Sequence, residues 1–110
     1  MLNQAKFVFK GLTVKKENMR RNLDISQGLI MTEPLMLGLS KKTGKKETGF
    51  ALVHKAAMEA FEKGNPFGEY IEKFPEIRNY LSPDEIKTLL NPENYLGLND
   101  QLIDAVIGKK

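Results

Sequence analysis

A broad apolar stripe at helical period is the feature that most constrains this chain. Met19, Leu23, Ile30 and Leu37 are spaced by four, seven and seven residues, with Leu29 and Met36 beside them. Such spacing lines one face of an α-helix, whereas a strand alternates its side chains with period two. It predicts a long first helix over about residues 17–42. Two residues disturb that helix. Gly28 weakens it or lets a neighbouring backbone come close. Pro34 cannot donate to the Ile30 carbonyl, so the helix should kink or divide there. Gly44 supplies the left-handed residue that commonly ends a helix. The next apolar set, Phe50, Val53, Ala57, Ala60 and Phe61, again occupies one helical face. It predicts a second helix over about residues 45–63, closed by Gly64.

Beyond Gly64 the punctuation is legible. Asn65-Pro66 reads as a cap followed by proline at the first helical position. Phe67, Tyr70, Ile71 and Phe74 then make a short, strongly apolar helix. Ser82-Pro83-Asp84-Glu85 is a capping box, with Leu81 and Ile86 at staple spacing. Asn91-Pro92-Glu93 repeats the cap-then-proline arrangement, with Leu90 and Tyr95 as its staple. Asn99 is expected to cap the last helix, with Leu98 and Ile103 as the staple and Leu102, Val106 and Ile107 on the buried face. At the other end, Leu2 to Phe9 is an apolar stretch ending at Gly11, too short for periodicity to separate a strand from a helix end. Leu12 and Val14 continue it as an extended connector. The predicted fold class is all-α: a compact bundle of two longer helices, about 17–42 and 45–63, and several short capped helices.

The length, 110 residues, suits one small domain and leaves no room for a second core. No stretch approaches the roughly 20 apolar residues that span a bilayer, and Met1 to Lys10 has no apolar run of signal-peptide length. No membrane partner is expected, and a cytoplasmic address follows by default. Cysteine is absent, which excludes disulfides and thiolate chemistry and fits a reducing compartment. The net charge of +3 is mild. Its densest point is Lys41, Lys42, Lys45 and Lys46 around Thr43 and Gly44. A phosphate-binding or nucleic-acid patch would need interleaved aromatic and arginine residues. We therefore read these lysines as a solvated connection between helices and expect no nucleic-acid partner.

Chemistry-bearing residues are few. The single histidine, His54, lies on the second helix with Phe50 at i−4 and Met58 at i+4. An isolated general base is one reading, since histidine titrates near neutral pH. No Ser or acid is placed in sequence as its triad partner, so a structural histidine is the preferred reading. Glu33 lies beside the apolar stripe, next to Pro34. A buried carboxylate with a raised pKa is one possibility for it, and a carboxylate that bonds a neighbouring helix or subunit is the preferred one. One histidine with scattered carboxylates offers no metal site. The nine glycines never form a phosphate-cradling loop. Met19, Met31 and Met36 are read as fillers of core or interface gaps. The sequence therefore predicts no catalytic residue, no cofactor-binding residue, no metal ligand and no cofactor.

Read together, the segments have a family likeness. Glu17 to Glu33, running through Met19-Arg20-Arg21-Asn22-Leu23 and Gly28-Leu29-Ile30, resembles the opening of the C-terminal domain in adenylosuccinate lyases and their fumarase/aspartase relatives. The preceding Leu12-Thr13-Val14 resembles the family's lead-in. Leu52-Val53-His54-Lys55-Ala56-Ala57-Met58-Glu59-Ala60 resembles its second helix. The run from Leu81 to Glu85, then Leu90-Asn91-Pro92-Glu93-Asn94-Tyr95-Leu96-Gly97, resembles the closing part. The likeness covers nearly all of the chain in order, and Pro34 departs from it by falling mid-helix.

The resemblance implies a β-elimination that releases fumarate from adenylosuccinate, and from a succinylated carboxamide ribotide, in purine nucleotide biosynthesis, with no metal or organic cofactor. It implies homotetramers whose active sites are each assembled from three subunits. The family's acid and base, including a serine on a flexible Gly-Ser-Ser-x-Met-Pro-x-Lys-x-Asn-Pro loop, lie upstream of this domain, and those motifs are absent here. No catalytic residue is carried over. Residues 1–14 are then the lead-in from a missing central helical domain, and 15–110 the lyase C-terminal helical domain, as a fragment, a split gene product or an isolated domain. The expected partners are the rest of the lyase chain and its tetramer subunits. The alternatives are the similar C-terminal domain of a 3-carboxy-cis,cis-muconate cycloisomerase, and a stand-alone helical interaction module.

Overall fold

The computed structural model describes residues 1–108. Those residues form helices and no strand, in the order α1 Leu2–Gly11, α2 Lys16–Asp24, a 3-10 turn Leu29–Met31, α3 Thr32–Thr43 and α4 Lys46–Glu62. There follow α5 Phe67–Lys73, α6 Pro75–Arg78, α7 Pro83–Leu90, a second 3-10 turn Pro92–Tyr95 and α8 Asn99–Ile107. The all-α expectation holds, and the ambiguous Leu2 to Phe9 stretch is a helix.

The long first helix is divided, and upstream of where Pro34 was expected to break it. α2 ends at Asp24, and the chain turns through Gln27 and Gly28, at φ 51° and 89°. Ser26 steadies the turn: its carbonyl accepts from the Leu29 amide at 3.0 Å and its Oγ from the Ile30 amide at 3.3 Å. The Gln27 carbonyl accepts from the Phe67 amide at 2.9 Å, tying the turn to the start of α5. α3 then begins at Thr32, so Pro34 occupies the first turn, where a helical amide has no intrahelical partner and its absence costs nothing. The division also re-phases the apolar pattern. Leu35 and Leu39 are buried, whereas Met19, Leu23, Ile30 and Leu37 of the predicted stripe are exposed.

α3 and α4 form a hairpin turned by Gly44 in the left-handed region. They come close at Gly49, where an added Cβ would stand 2.9 Å from both the Met36 carbonyl oxygen and the Ser40 amide. Val53, Ala56 and Ala60 of α4 are buried against Leu35 and Leu39 of α3, and Phe67, Ile71, Phe74, Ile77, Leu81 and Ile86 complete the core. Phe50 and Phe61, placed on the inner face of the second helix by the sequence, are 57% and 72% exposed. Ala56 replaces them, because the close approach at Gly49 favours small side chains on the inner face.

The caps follow the sequence in part. The Ser82 box is complete: Glu85 N donates to Ser82 Oγ at 3.2 Å and Ser82 N to Glu85 Oε2 at 2.9 Å. Asn91 accepts from the Glu93 amide at 3.1 Å. At α5, Pro66 itself is the cap residue and Asn65 stands outside it. At α8, Leu98 is the cap residue and Asn99 is the first helical one.

Lys42 Nζ meets Glu85 Oε1 at 2.6 Å, clasping α3 to α7. The Lys42 ammonium, then the Ser82 amide, pushes the Glu85 carboxyl down to about 2 from its ordinary 4.5. A carboxyl whose folded value is depressed adds stability above its unfolded value and loses it as pH falls through the folded one. Urea midpoints should therefore fall more steeply between about pH 4.5 and pH 2 for the natural chain than for Glu85→Gln. Parallel slopes would show that the clasp contributes nothing.

Three helices lie apart from the core. α1, α2 and α8 contain no buried residue. The chain measures 57 × 33 × 23 Å with a radius of gyration of 18.8 Å, against about 13 Å for a compact domain of this length. The face of α8 expected to be buried is open: Leu102, Val106 and Ile107 are exposed, as are Leu98 and Ile103.

Candidate functional site

His54 and Glu33, far apart in sequence, line one groove between α3 and α4. Glu33 and Thr32 stand in the first turn of α3. Phe50, Val53, His54 and Ala57 rise from α4, and Leu29 and Met36 complete the wall. The volume is about 410 Å³. The α4 residues share a face because they recur at three- and four-residue spacing. Both titratable residues are exposed. The His54 and Phe50 rings are stacked, with centroids 5.6 Å apart and planes 5° from parallel. Among the described residues no side chain hydrogen-bonds to either Glu33 or His54. The carboxylate expected to bond a neighbouring helix or a subunit therefore has no such bond to a described residue, and the His54 ring packs on an aromatic one.

A second polar cluster was invisible in the sequence. Tyr70 donates to Glu59 Oε2 at 2.5 Å, and Lys63 Nζ donates to Tyr70 Oη at 2.9 Å and to Glu59 at 3.4 Å. The Tyr70 bond is the main reason the Glu59 carboxyl lies below its usual range, and the same phenol raises the Lys63 ammonium. Lys55 donates to Glu76 at 2.6 Å, which raises its own pKa. Each carboxylate here already faces an ammonium, so the cluster clasps α4 to α5 and α6. Its one signal in the sequence is the i,i+4 spacing of Glu59 and Lys63, which alone does not mark a cluster. Tyr70 and Glu76 join through the fold.

The lysine-rich connection around Gly44 contributes one clasp, through Lys42, and leaves Lys41, Lys45 and Lys46 exposed. Of the clustered methionines, Met31 is buried, Met36 packs on the core and Met19 is exposed. No group of three metal-ligating side chains occurs among the described residues, and none of their helices is long and apolar enough to cross a membrane. An elimination needs a base, an acid and oxyanion donors fixed around one substrate. The groove offers one imidazole and one carboxylate on an apolar floor.

This helical arrangement recurs in the fumarate lyase superfamily. A fumarate lyase from Mesorhizobium sp. BNC1 superposes with a TM-score of 0.81 and 36% identity, over 99% of this chain and 26% of that one. The β-carboxy-cis,cis-muconate cycloisomerase of Acinetobacter calcoaceticus superposes with a TM-score of 0.78 and 31% identity, over 94% of this chain and 24% of that one. Residues 28–106 match the family described as adenylosuccinate lyase C-terminus, and the chain belongs to that family. The adenylosuccinate lyase of Methanocaldococcus jannaschii is 37% identical over 98 residues, 89% of this chain and 21% of that protein. The chain thus spans about a quarter or less of the length of these relatives.

Proposed function

We propose that this chain serves as the C-terminal domain of an enzyme that eliminates fumarate from adenylosuccinate in purine nucleotide biosynthesis, and that the reacting groups come from outside these 110 residues. The observation that carries the reading is the family match over residues 28–106. Two features of the chain support it. The groove lacks the set of acid, base and anion-binding donors that a C–N cleavage requires. The open apolar faces of α1, α2 and α8 are what a domain would present to the rest of a larger enzyme. On this reading residues 1–14 lead in from a central helical domain, residues 15–110 are the C-terminal domain, and the partners are that central domain and the other subunits of a homotetramer.

Adenylosuccinate supplied to the chain alone should release no fumarate above background. A chimera carrying residues 28–106 in place of the matching segment of the Methanocaldococcus enzyme should assemble and cleave adenylosuccinate. Robust turnover by the chain alone would overturn the claim that catalysis lies elsewhere. A folded, assembled but inactive chimera would overturn the domain assignment. The second reading, a domain of a β-carboxy-cis,cis-muconate cycloisomerase type of enzyme, is favoured by the Acinetobacter superposition. It predicts that the same replacement succeeds in that enzyme and fails in the adenylosuccinate lyase.

A further inference from the structure

The groove between α3 and α4 has features that the proposed function does not use. Its volume, about 410 Å³, lies within the usual range of small-ligand sites, roughly 300–1,000 Å³, and such sites combine apolar walls with a few convergent polar groups. The walls are Leu29, Met36, Val53 and Ala57. Met36 has an adaptable thioether that packs well on flat rings. On one side His54 and Phe50 present nearly parallel stacked rings. On the other stands Glu33, the groove's only carboxylate, with no lysine or arginine in the lining. Among the described residues no cation pairs with Glu33.

We propose that this groove is a binding site for a small organic cation, an amidinium or ammonium group carried on a flat apolar body. Charge complementarity chooses the sign: a carboxylate beside an apolar wall, with no cation against it among the described residues, attracts a cation and repels an anion. An amidinium presents parallel N–H donors that match a carboxylate in bidentate geometry. The flat body continues the Phe50–His54 stack, since offset aromatic faces attract one another. The Thr32 hydroxyl, also in the lining, offers an acceptor for a remaining donor.

Benzamidine is the probe. His54 is the chain's only histidine, so its ring signals report the groove without ambiguity in a proton–nitrogen correlation spectrum. Titration at pH 8 should shift those signals saturably in the millimolar range. Glu33→Gln should weaken binding by about fivefold or more, while neutral benzamide should bind the natural chain by a similar factor less tightly. Glu33 lies exposed in the first turn of α3, so the variant should keep its far-ultraviolet circular dichroism. N-acetylarginine amide, standing in for an arginine on another segment of protein, should bind less tightly than benzamidine because its aliphatic stem cannot join the ring stack. A linear, unsaturated drift, or equal affinity for benzamide or for the Glu33→Gln variant, would overturn the proposal. Tighter binding of the arginine derivative would overturn it too, in favour of a protein segment as occupant.

Discussion

Phe67→Ala should remove most of the cooperative stability of this chain, while Phe61→Ala should change it little. Phe67 is 1% exposed and sits at the start of α5, in contact with the rest of the core. Its amide donates to the Gln27 carbonyl, so its position also holds the turn that separates α2 from α3. Truncating a buried phenylalanine costs about 3–5 kcal/mol in lost transfer energy and cavity formation. A small domain has only about 5–15 kcal/mol in total, and here α1, α2 and α8 bury nothing to add to it. The urea midpoint of Phe67→Ala should therefore collapse towards zero denaturant, with loss of helical circular dichroism in water. Phe61, at 72% exposure, should shift the stability by no more than about 0.5 kcal/mol. Equal midpoints for the two variants would show that the core is placed wrongly.

Those two phenylalanines also mark where sequence pattern stops being informative. Helical period put Phe61 on the inner face of the second helix together with Val53 and Ala60, and two of the three are buried. Period gives the direction of a side chain around a helix, but whether a neighbour reaches that side depends on the partner's length and angle. The division of the first long helix had the same origin. Pro34 signalled a kink or a division, but the chain turns earlier, at Gln27 and Gly28, which leaves Pro34 in the first turn of α3. Gly28 is a residue type that such a turn favours, but Gln27 beside it, also in the left-handed region, is not, so the sequence marked the turn only in part. The box at Ser82 was readable because all its partners lie within four residues. The Glu33–His54 groove was not, because it depends on how α3 is phased against α4 after the turn at Gly28. The open face of α8 was misplaced for a further reason: an amphipathic pattern states that a face wants covering, and leaves unsaid whether the same chain covers it.

Two glycines on the α3–α4 hairpin should respond to alanine unequally, although both are helical. Replacing a helical glycine by alanine ordinarily gains about 1 kcal/mol by restricting the unfolded chain and removing a poor helix former. At Gly49 the added Cβ would stand 2.5 Å from Ser40 Oγ and 2.9 Å from both the Met36 carbonyl oxygen and the Ser40 amide. Two of those atoms are backbone of the facing helix, so relief requires α3 and α4 to separate. Separation opens the packing of Val53 and Ala56 on Leu35 and Leu39 and breaks the close fit on which dispersion depends. Overpacking of this kind costs about 1–3 kcal/mol, occasionally more, and backbone against backbone belongs at the upper end. The net expectation for Gly49→Ala is a loss of about 2 kcal/mol after the propensity gain. At Gly38 the added Cβ would meet Leu89 Cδ1 at 2.5 Å, the far end of a half-buried side chain that has other rotamers. Gly38→Ala should therefore stay within about 0.5 kcal/mol of the natural chain, the rotamer adjustment offsetting the propensity gain. Urea unfolding of both variants side by side measures the difference directly. A stabilised Gly49→Ala would mean that α3 and α4 pack farther apart than their close approach at this residue requires.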